Sequence, residues 1–266
     1  MNIKPLKRFG QNYLTDPNIL IKIVKEIDPK PGDNIVEVGP GQGALTGIIL
    51  DKVDSITAVE IDKRISEELK SKYPQLKLIS GDFLELDLEK IFNIKKKKLR
   101  VVGNIPFNIT SPILFKLIEN NNLIEDSVLM VQYEVAKRIK GIKGTKDYGI
   151  LSVLLSFFAD IKFCFKVSPA SFYPKPNVDS AVIHLLFKEN RMITAMKSRL
   201  IQVIKASFGH RRKTLKNSLS NSIFKDIDFT NSGIDLSKRA EQLEKDDFLK
   251  LADFVQKKIE IKNNAC

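Results

Sequence analysis

The sequence predicts an α/β fold: a parallel sheet covered by helices on both faces, closed by a late antiparallel strand pair and followed by a small all-α domain. Three observations carry this. Short apolar runs at residues 34–38, 55–59, 76–80, 99–102 and 127–131 alternate with helical segments, the pattern of parallel strands joined by crossovers. The first run passes straight into Gly39-Pro40-Gly41-Gln42-Gly43, a glycine turn ahead of a helix. From Met192 onward only helical periodicity remains.

Each element has a local reason. Residues 4–12 are basic and lead into Phe9-Gly10-Gln11-Asn12-Tyr13-Leu14, which reads as a loop. Thr15-Asp16-Pro17 supplies a capping carboxylate and a proline for a first helical turn. Ile19, Leu20, Ile23, Val24 and Ile27 then recur at helical spacing. Pro29-Lys30-Pro31-Gly32-Asp33 turns the chain into the first strand, and an apolar helix follows the glycine turn to Leu50. The second strand ends in Glu60-Ile61-Asp62 and the third in Gly81-Asp82-Phe83, with helices at 63–70 and 112–119. The four lysines 95–98 read as a solvated loop. Helices are expected at 134–140 and 148–158. Strands at 161–167 and 179–187, joined by a short proline-rich link, form the antiparallel pair. The expected division is a sheet domain over residues 1–188 and a helical domain over 189–266.

Composition narrows the function. With 266 residues and 43% hydrophobic content, the chain can bury a sizeable core. Its net charge of +12 favours a polyanionic partner, nucleic acid before membrane. The helical part carries sixteen Lys and Arg against ten Asp and Glu, about half of that excess. Two cysteines, Cys164 and Cys266, form no CxxC, and two histidines, His184 and His210, make no metal centre. This implies no metal, no disulfide framework and a reducing cytoplasm. The start of the chain has no apolar signal core, and no window is long enough to span a bilayer. His184 alternates within an apolar strand and reads as structural.

Two clusters carry chemistry. Gly39 and Gly41 let the backbone pass close to a ligand at a helix N-terminus. Glu60, at the end of the second strand, can accept from both hydroxyls of a ribose, and Asp82 can take the amino group of an adenine. These residues alone leave a nicotinamide cofactor and S-adenosylmethionine equally open. The second cluster is Asn104-Ile105-Pro106-Phe107, where a buried strand stops at a stiff proline turn. Asn104 and a carbonyl at Ile105 or Pro106 offer acceptors to the two N–H groups of an adenine N6, and Phe107 offers a stacking face. Such acceptors draw N6 towards a tetrahedral shape and free its lone pair, so methyl transfer to N6 fits. Hydride transfer lacks an obvious proton relay.

In order along the chain, Phe9 to Leu14, the run from Val36 to Thr46, Glu60-Ile61-Asp62, Gly81-Asp82, Asn104 to Phe107, and Phe172-Tyr173-Pro174-Lys175-Pro176-Asn177-Val178-Asp179-Ser180 resemble the small-subunit rRNA adenine N6,N6-dimethyltransferases. The resemblance covers nearly the whole chain. It implies a Rossmann-like S-adenosylmethionine-dependent methyltransferase fold. The cofactor would be bound by Asn12, Leu14, Gly39, Glu60, Asp82 and Asn104, with Asn12 and Leu14 on a loop that closes over it. It also implies dimethylation of two adjacent adenosines near the 3′ end of small-subunit (16S) rRNA, in support of ribosome biogenesis. The target base would leave its stack and enter between Phe107 and Phe172. Phe107 departs from the family's frequent Tyr: the ring can still stack, but no hydroxyl is available.

Alternatives are the large-subunit rRNA adenine methyltransferases of the macrolide-resistance type and an idle RNA-binding assembly factor. The intact Asn104 turn argues against the latter. Arg211, Arg212 and Lys213, with His210 and Lys216 beside Phe208, form a basic patch suited to RNA phosphates. The expected partner is small-subunit rRNA or a subunit precursor, and the expected state is a monomer.

Overall fold

The structure is a computed structural model that describes residues 4–6, 9–189 and 192–264. Lys7, Arg8 and Cys266 lie outside the described residues. The chain forms two compact units, Met1–Ala136 with Ala159–Lys188, and Lys137–Phe158 with Glu189–Cys266.

In the first unit the elements run β1 (Tyr13–Leu14), α1 (Pro17–Ile27), β2 (Asn34–Val38), α2 (Ala44–Leu50), β3 (Thr57–Glu60), α3 (Lys63–Lys72), β4 (Lys77–Ser80), α4 (Leu88–Lys95), β5 (Leu99–Asn104), α5 (Thr110–Glu119) and β6 (Ile124–Gln132). α6 (Tyr133–Ile139) and α7 (Ile150–Phe158) come next, then β7 (Ala159–Val167), β8 (Phe172–Tyr173) and β9 (Ser180–Phe187). The seven-stranded sheet has the order β4-β3-β2-β5-β6-β9-β7. β4 through β6 are parallel, and β9 and β7 add an antiparallel pair. After β2 the chain builds outward on one side, then crosses to β5 on the other. The cleft at the carboxyl ends of β2 and β5 is therefore the switch point where ligands bind in such sheets.

Local chemistry explains the elements. Asp16 accepts from the Asn18 amide at 2.9 Å and caps α1, whose Leu20, Ile23, Val24 and Ile27 are buried. β2 is buried along its whole length, as a central parallel strand must be. At Gly103 a Cβ would lie 2.5 Å from the Val38 carbonyl, so only glycine lets the end of β5 sit this close to β2. At the opposite end of the strands lies an ion network. Arg100 reaches Asp33 and Asp126 at 2.7 Å each, and His184 reaches Asp126 at 2.8 Å. His184 is thus structural, as expected.

The lysine run 95–98 is more engaged than a solvated loop. Lys95 ends α4 and donates to the Asp33 carbonyl at 2.8 Å, and Lys97 pairs with Asp33 at 2.7 Å. β1 and β8, expected as loop, pair antiparallel, Tyr13 with Tyr173 and Leu14 with Phe172.

The second unit holds α7, α8 (Thr194–Phe208), α9 (Leu215–Ser220) and α10 (Lys245–Asn264). The expected division at residue 188 is corrected here, because residues 137–158 belong with the helical part. Packing gives the reason. The Tyr148 ring meets Phe208 edge-on at 6.1 Å, its hydroxyl donates to the Leu243 carbonyl at 3.1 Å, and Lys245 donates to the Ser156 carbonyl at 2.9 Å. Phe208 and Phe248 stack at 5.7 Å beside them.

Candidate active site

A cavity of about 320 Å³ opens at the carboxyl ends of the central strands, large enough for a small-molecule ligand. Gly39 and Gly41 follow β2, Glu60 ends β3, Asp82 follows β4, Asn104 ends β5, and Pro106 and Phe107 follow it; all of them line the cavity, as does Asn12. Sequence reasoning therefore placed eight of its residues on one wall-set, drawn from four strands and the N-terminal segment.

The corner after β5 is fixed in detail. The Asn104 Nδ2 donates to the Asn12 carbonyl at 2.8 Å. A carbonyl can only accept, so this bond sets the amide's orientation and leaves Oδ1 as an acceptor without a partner among the described residues. The Pro106 carbonyl already accepts from the Ile109 amide at 3.2 Å and the Thr110 hydroxyl at 3.5 Å. Of the two carbonyls considered from sequence, the one at Ile105 is the better second acceptor. Phe107 is half-buried on the cavity wall.

Two acidic residues, Glu60 and Asp82, also line the cavity. Glu60 is 3% exposed, accepts from the amides of Gly41 at 3.2 Å and Asp62 at 2.9 Å, and burial raises its pKa. The same carboxylate lines the cavity. Glu37, to which the sequence reading gave no role, lies beneath the glycine turn. It accepts from the Thr46 hydroxyl at 2.7 Å, and burial, with Glu60 adding to it, pushes its carboxyl up to about 7. Among the described residues neither carboxylate has a basic partner. With Glu60 on its lining and Glu37 buried close enough to feel that carboxylate, the cavity favours a ligand that carries positive charge. Asp82 lines the cavity and uses its Oδ1 to cap the turn that follows, accepting from the Leu84 amide at 2.8 Å.

Two expected residues turn elsewhere. Phe172 is 5% exposed and packs in the core, so it offers no open face to a base at the cavity. Leu14 is 7% exposed in the same core and reaches only a smaller hollow of about 70 Å³ beside the glycine turn. Directly opposed strand residues share a face. The Leu14–Phe172 pair points inward, and Tyr13 of the neighbouring pair lines the cavity instead. The Tyr13 ring comes within 3.0 Å of where a Gly41 Cβ would stand and Gly41 has a φ of +54°, so a side chain there would be strained; the Tyr13 hydroxyl is buried without a partner among the described residues. Burial and nearby carboxylates raise that phenol to about 12. Gln11 also lines the cavity and donates to Asp62 at 3.2 Å; Arg64 pairs with the same carboxylate at 2.7 Å. Polar residues beside Asn12 and Glu60 were the only sequence signal for these contacts.

The basic patch of the second unit divides. Arg211 is committed to structure: its guanidinium donates to the Lys146 carbonyl and lies 3.4 Å from Glu241. Arg212 and Lys213 are exposed, with no side-chain partner among the described residues.

Comparison with known proteins now decides the family. The family model "Ribosomal RNA adenine dimethylase" matches residues 3–257. The chain belongs to the ribosomal RNA adenine dimethylase family. Curated relatives include "Ribosomal RNA small subunit methyltransferase A" of Chlorobium phaeobacteroides (strain BS1), 44% identical over 245 residues, covering 92% of this chain and 91% of the relative. The protein of the same name from Acinetobacter baylyi is 39% identical, covering 94% of this chain and 92% of the relative. Among solved structures, a dimethyladenosine transferase from Plasmodium falciparum aligns with a TM-score of 0.74 at 26% identity, covering 92% and 98% of the two chains. The 23S rRNA methyltransferase ErmE aligns with a TM-score of 0.64 at 25% identity, covering 91% and 98%. The large-subunit type is thus the more distant relative. A methyl donor with a cationic sulfonium suits this cavity, which the carboxylates of Glu60 and Asp82 both line.

Proposed function

We propose that the chain transfers methyl groups from S-adenosylmethionine to N6 of two adjacent adenosines in the 3′-terminal hairpin of small-subunit rRNA. It does so as a cytoplasmic monomer acting on the RNA or on a subunit precursor. The observation that carries this reading is the oriented Asn104 amide, with a free Oδ1 beside the cavity.

The chain's residues divide the work. Glu60 accepts from the ribose hydroxyls of the cofactor, Asp82 from its adenine amine, and Gly39 and Gly41 let the main chain approach it. Asn12 holds the Asn104 amide and so joins the N-terminal segment to the reacting corner. When bound, S-adenosylmethionine supplies a methyl group made electrophilic by a positively charged sulfur. The target adenosine leaves its stack and lies against Phe107. Oδ1 of Asn104 and the Ile105 carbonyl accept the two N6–H bonds. The nitrogen lone pair is then withdrawn from conjugation with the ring and aimed at the methyl group. No strong base is needed, because N6 becomes acidic as it takes up the methyl group and its proton passes to water. Alignment supplies most of the rate. After the first transfer one N–H remains, and one of the two acceptors can orient it for the second. Arg212 and Lys213 meet RNA phosphates and give a salt-sensitive affinity.

Incubation of unmethylated small subunits with labelled methyl donor, followed by mapping of the labelled nucleotides, tests this directly. Label confined to two neighbouring adenosines near the 3′ end supports the reading; label at other nucleotides of the small-subunit RNA, or none, overturns it.

A further inference from the structure

The turn that carries Asp82 is held from below by a residue of another element. Lys116, on α5, donates from Nζ to the Leu84 carbonyl at 2.8 Å and to the Leu86 carbonyl at 2.6 Å. The same ammonium lies 5.7 Å from the centre of the Phe83 ring. Asp82 and Phe83 both line the cavity. Leu84 in turn donates its amide to Asp82 Oδ1, so one clamp fixes the backbone whose start presents the Asp82 carboxylate. α5 begins directly after the Asn104–Phe107 corner and its short turn. Lys116 therefore ties the helix that leads out of the methyl-accepting corner to the turn on the nucleoside side.

Three carboxylates, Asp82, Asp87 and Glu119, act on this ammonium, and burial opposes its charge. A half-buried lysine whose donors satisfy main-chain carbonyls is an expensive way to fasten a surface turn, unless the turn's position matters. Lys90, four-fifths exposed and 3.7 Å from Asp87, shows what an ordinary surface lysine beside the same loop looks like.

We propose that Lys116 is a positioning residue for the cofactor: it sets the distance between the Asp82 turn and the Asn104 corner, and so governs affinity for the nucleoside without touching it. This rests on the function proposed above. Carbonyl acceptors and a neighbouring carboxylate require a cation with several donors, which Arg can replace in part and Met cannot.

The test compares Lys116→Met, Lys116→Gln, Lys116→Arg and, as a control, Lys90→Met. Binding of S-adenosylhomocysteine is measured by calorimetry and methylation of small subunits by steady-state kinetics. In Lys116→Met the dissociation constant and the KM for the methyl donor should rise about tenfold, while kcat at saturating donor stays within about twofold. Lys116→Gln should fall between, Lys116→Arg should recover most of the affinity, and Lys90→Met should match the wild type. An unchanged dissociation constant in folded Lys116→Met or Lys116→Gln overturns the proposal, as does a kcat that falls as far as kcat/KM. Wild-type protein that binds no S-adenosylhomocysteine would sink the functional reading and this inference together. Wild-type binding with indifferent variants sinks this inference alone.

Discussion

Asn104 and Asn12 are joined across 92 residues of sequence by one hydrogen bond, Nδ2 to carbonyl at 2.8 Å. The bond does two things at once. It closes the N-terminal segment against the end of β5, and it commits Nδ2 of the amide, leaving Oδ1 as the remaining polar atom.

From this bond follows the first prediction. Asn104→Ala removes the N6 acceptor while the acidic wall stays in place. The kcat should fall by roughly 100-fold or more, the scale seen when one oriented hydrogen-bonding group of a reacting centre is lost. Affinity for S-adenosylhomocysteine, read by calorimetry, should weaken only in part. Asn104→Asp keeps an oxygen but cannot donate to Asn12; it should also lose most turnover.

Glu60 should govern affinity rather than rate. Its carboxylate already holds the glycine turn through the Gly41 amide, so Glu60→Ala loses both that bond and the ribose contacts. A rise of about 10- to 100-fold in the cofactor's dissociation constant is expected, equivalent to one or two charged hydrogen bonds. Equal affinity in the two proteins would contradict the assignment.

Glu37 makes stability depend on pH. Burial raises its native pKa from the usual value of 4.5 to about 7, so the folded protein binds a proton that the unfolded chain has released between those limits. Stability without cofactor should therefore be highest below pH 4.5 as far as this group is concerned, and should fall as pH rises through 7, by roughly 3 kcal/mol in all. Thermal melts of Glu37→Gln should lack this decline and exceed wild type at pH 8. A cationic ligand favours the ionised carboxylate. Its binding should accordingly release a proton near pH 6, which calorimetry in buffers of different ionisation enthalpy will register.

Arg100 tests stability away from the site. Its side chain is 11% exposed and serves two carboxylates that are 7% and 5% exposed. Burial opposes ionisation of Asp33, but the Lys97 and Arg100 bonds outweigh it and hold the carboxyl at about 2. Arg100→Met leaves Asp33 with Lys97 and Asp126 with His184 as their remaining side-chain partners and should destabilise the protein by roughly 3 kcal/mol in denaturant titrations. Affinity for S-adenosylhomocysteine below the unfolding midpoint should be unchanged, because the network lies at the far end of the strands.

The basic patch separates into two kinds of residue. Replacing Arg212 and Lys213 with Ala should weaken rRNA binding and flatten its salt dependence, by about one unit of slope for each phosphate contact removed. Arg211→Ala should instead lower the melting temperature, since that side chain is bound to the Lys146 carbonyl and Glu241. The reverse pattern would reassign the patch.

Much of this was legible in the chain itself. The strand–turn–helix order and the carboxyl-end positions of Gly39, Glu60, Asp82 and Asn104 follow from periodicity and punctuation, both local properties. α1 begins at Pro17 behind the Asp16 cap as its residues dictate. The less legible features are non-local. β1 and β8 are two residues each, and their pairing joins Leu14 to Phe172 over a separation no local pattern records. Because faces alternate, a one-residue difference sends Phe172 and Leu14 to the core and Tyr13 to the cavity. Glu37 sits in an apolar strand, where only burial reveals that its charge matters. α4 is eight residues long and merges into lysines, so its capping Asp87 was the sole clue to it. Tyr148 and Phe157 have the apolar character of any core, and their partners in the helical unit are distant in sequence.

The central claim is that Asn104 grips N6 while other residues hold the methyl donor. Single-turnover methylation of unmodified small subunits, with cofactor saturating for both wild type and Asn104→Ala, isolates that step. The account predicts label on two adjacent adenosines near the 3′ end with wild type and a transfer rate lower by about 100-fold or more with the variant. Equal single-turnover rates for the two proteins would contradict it.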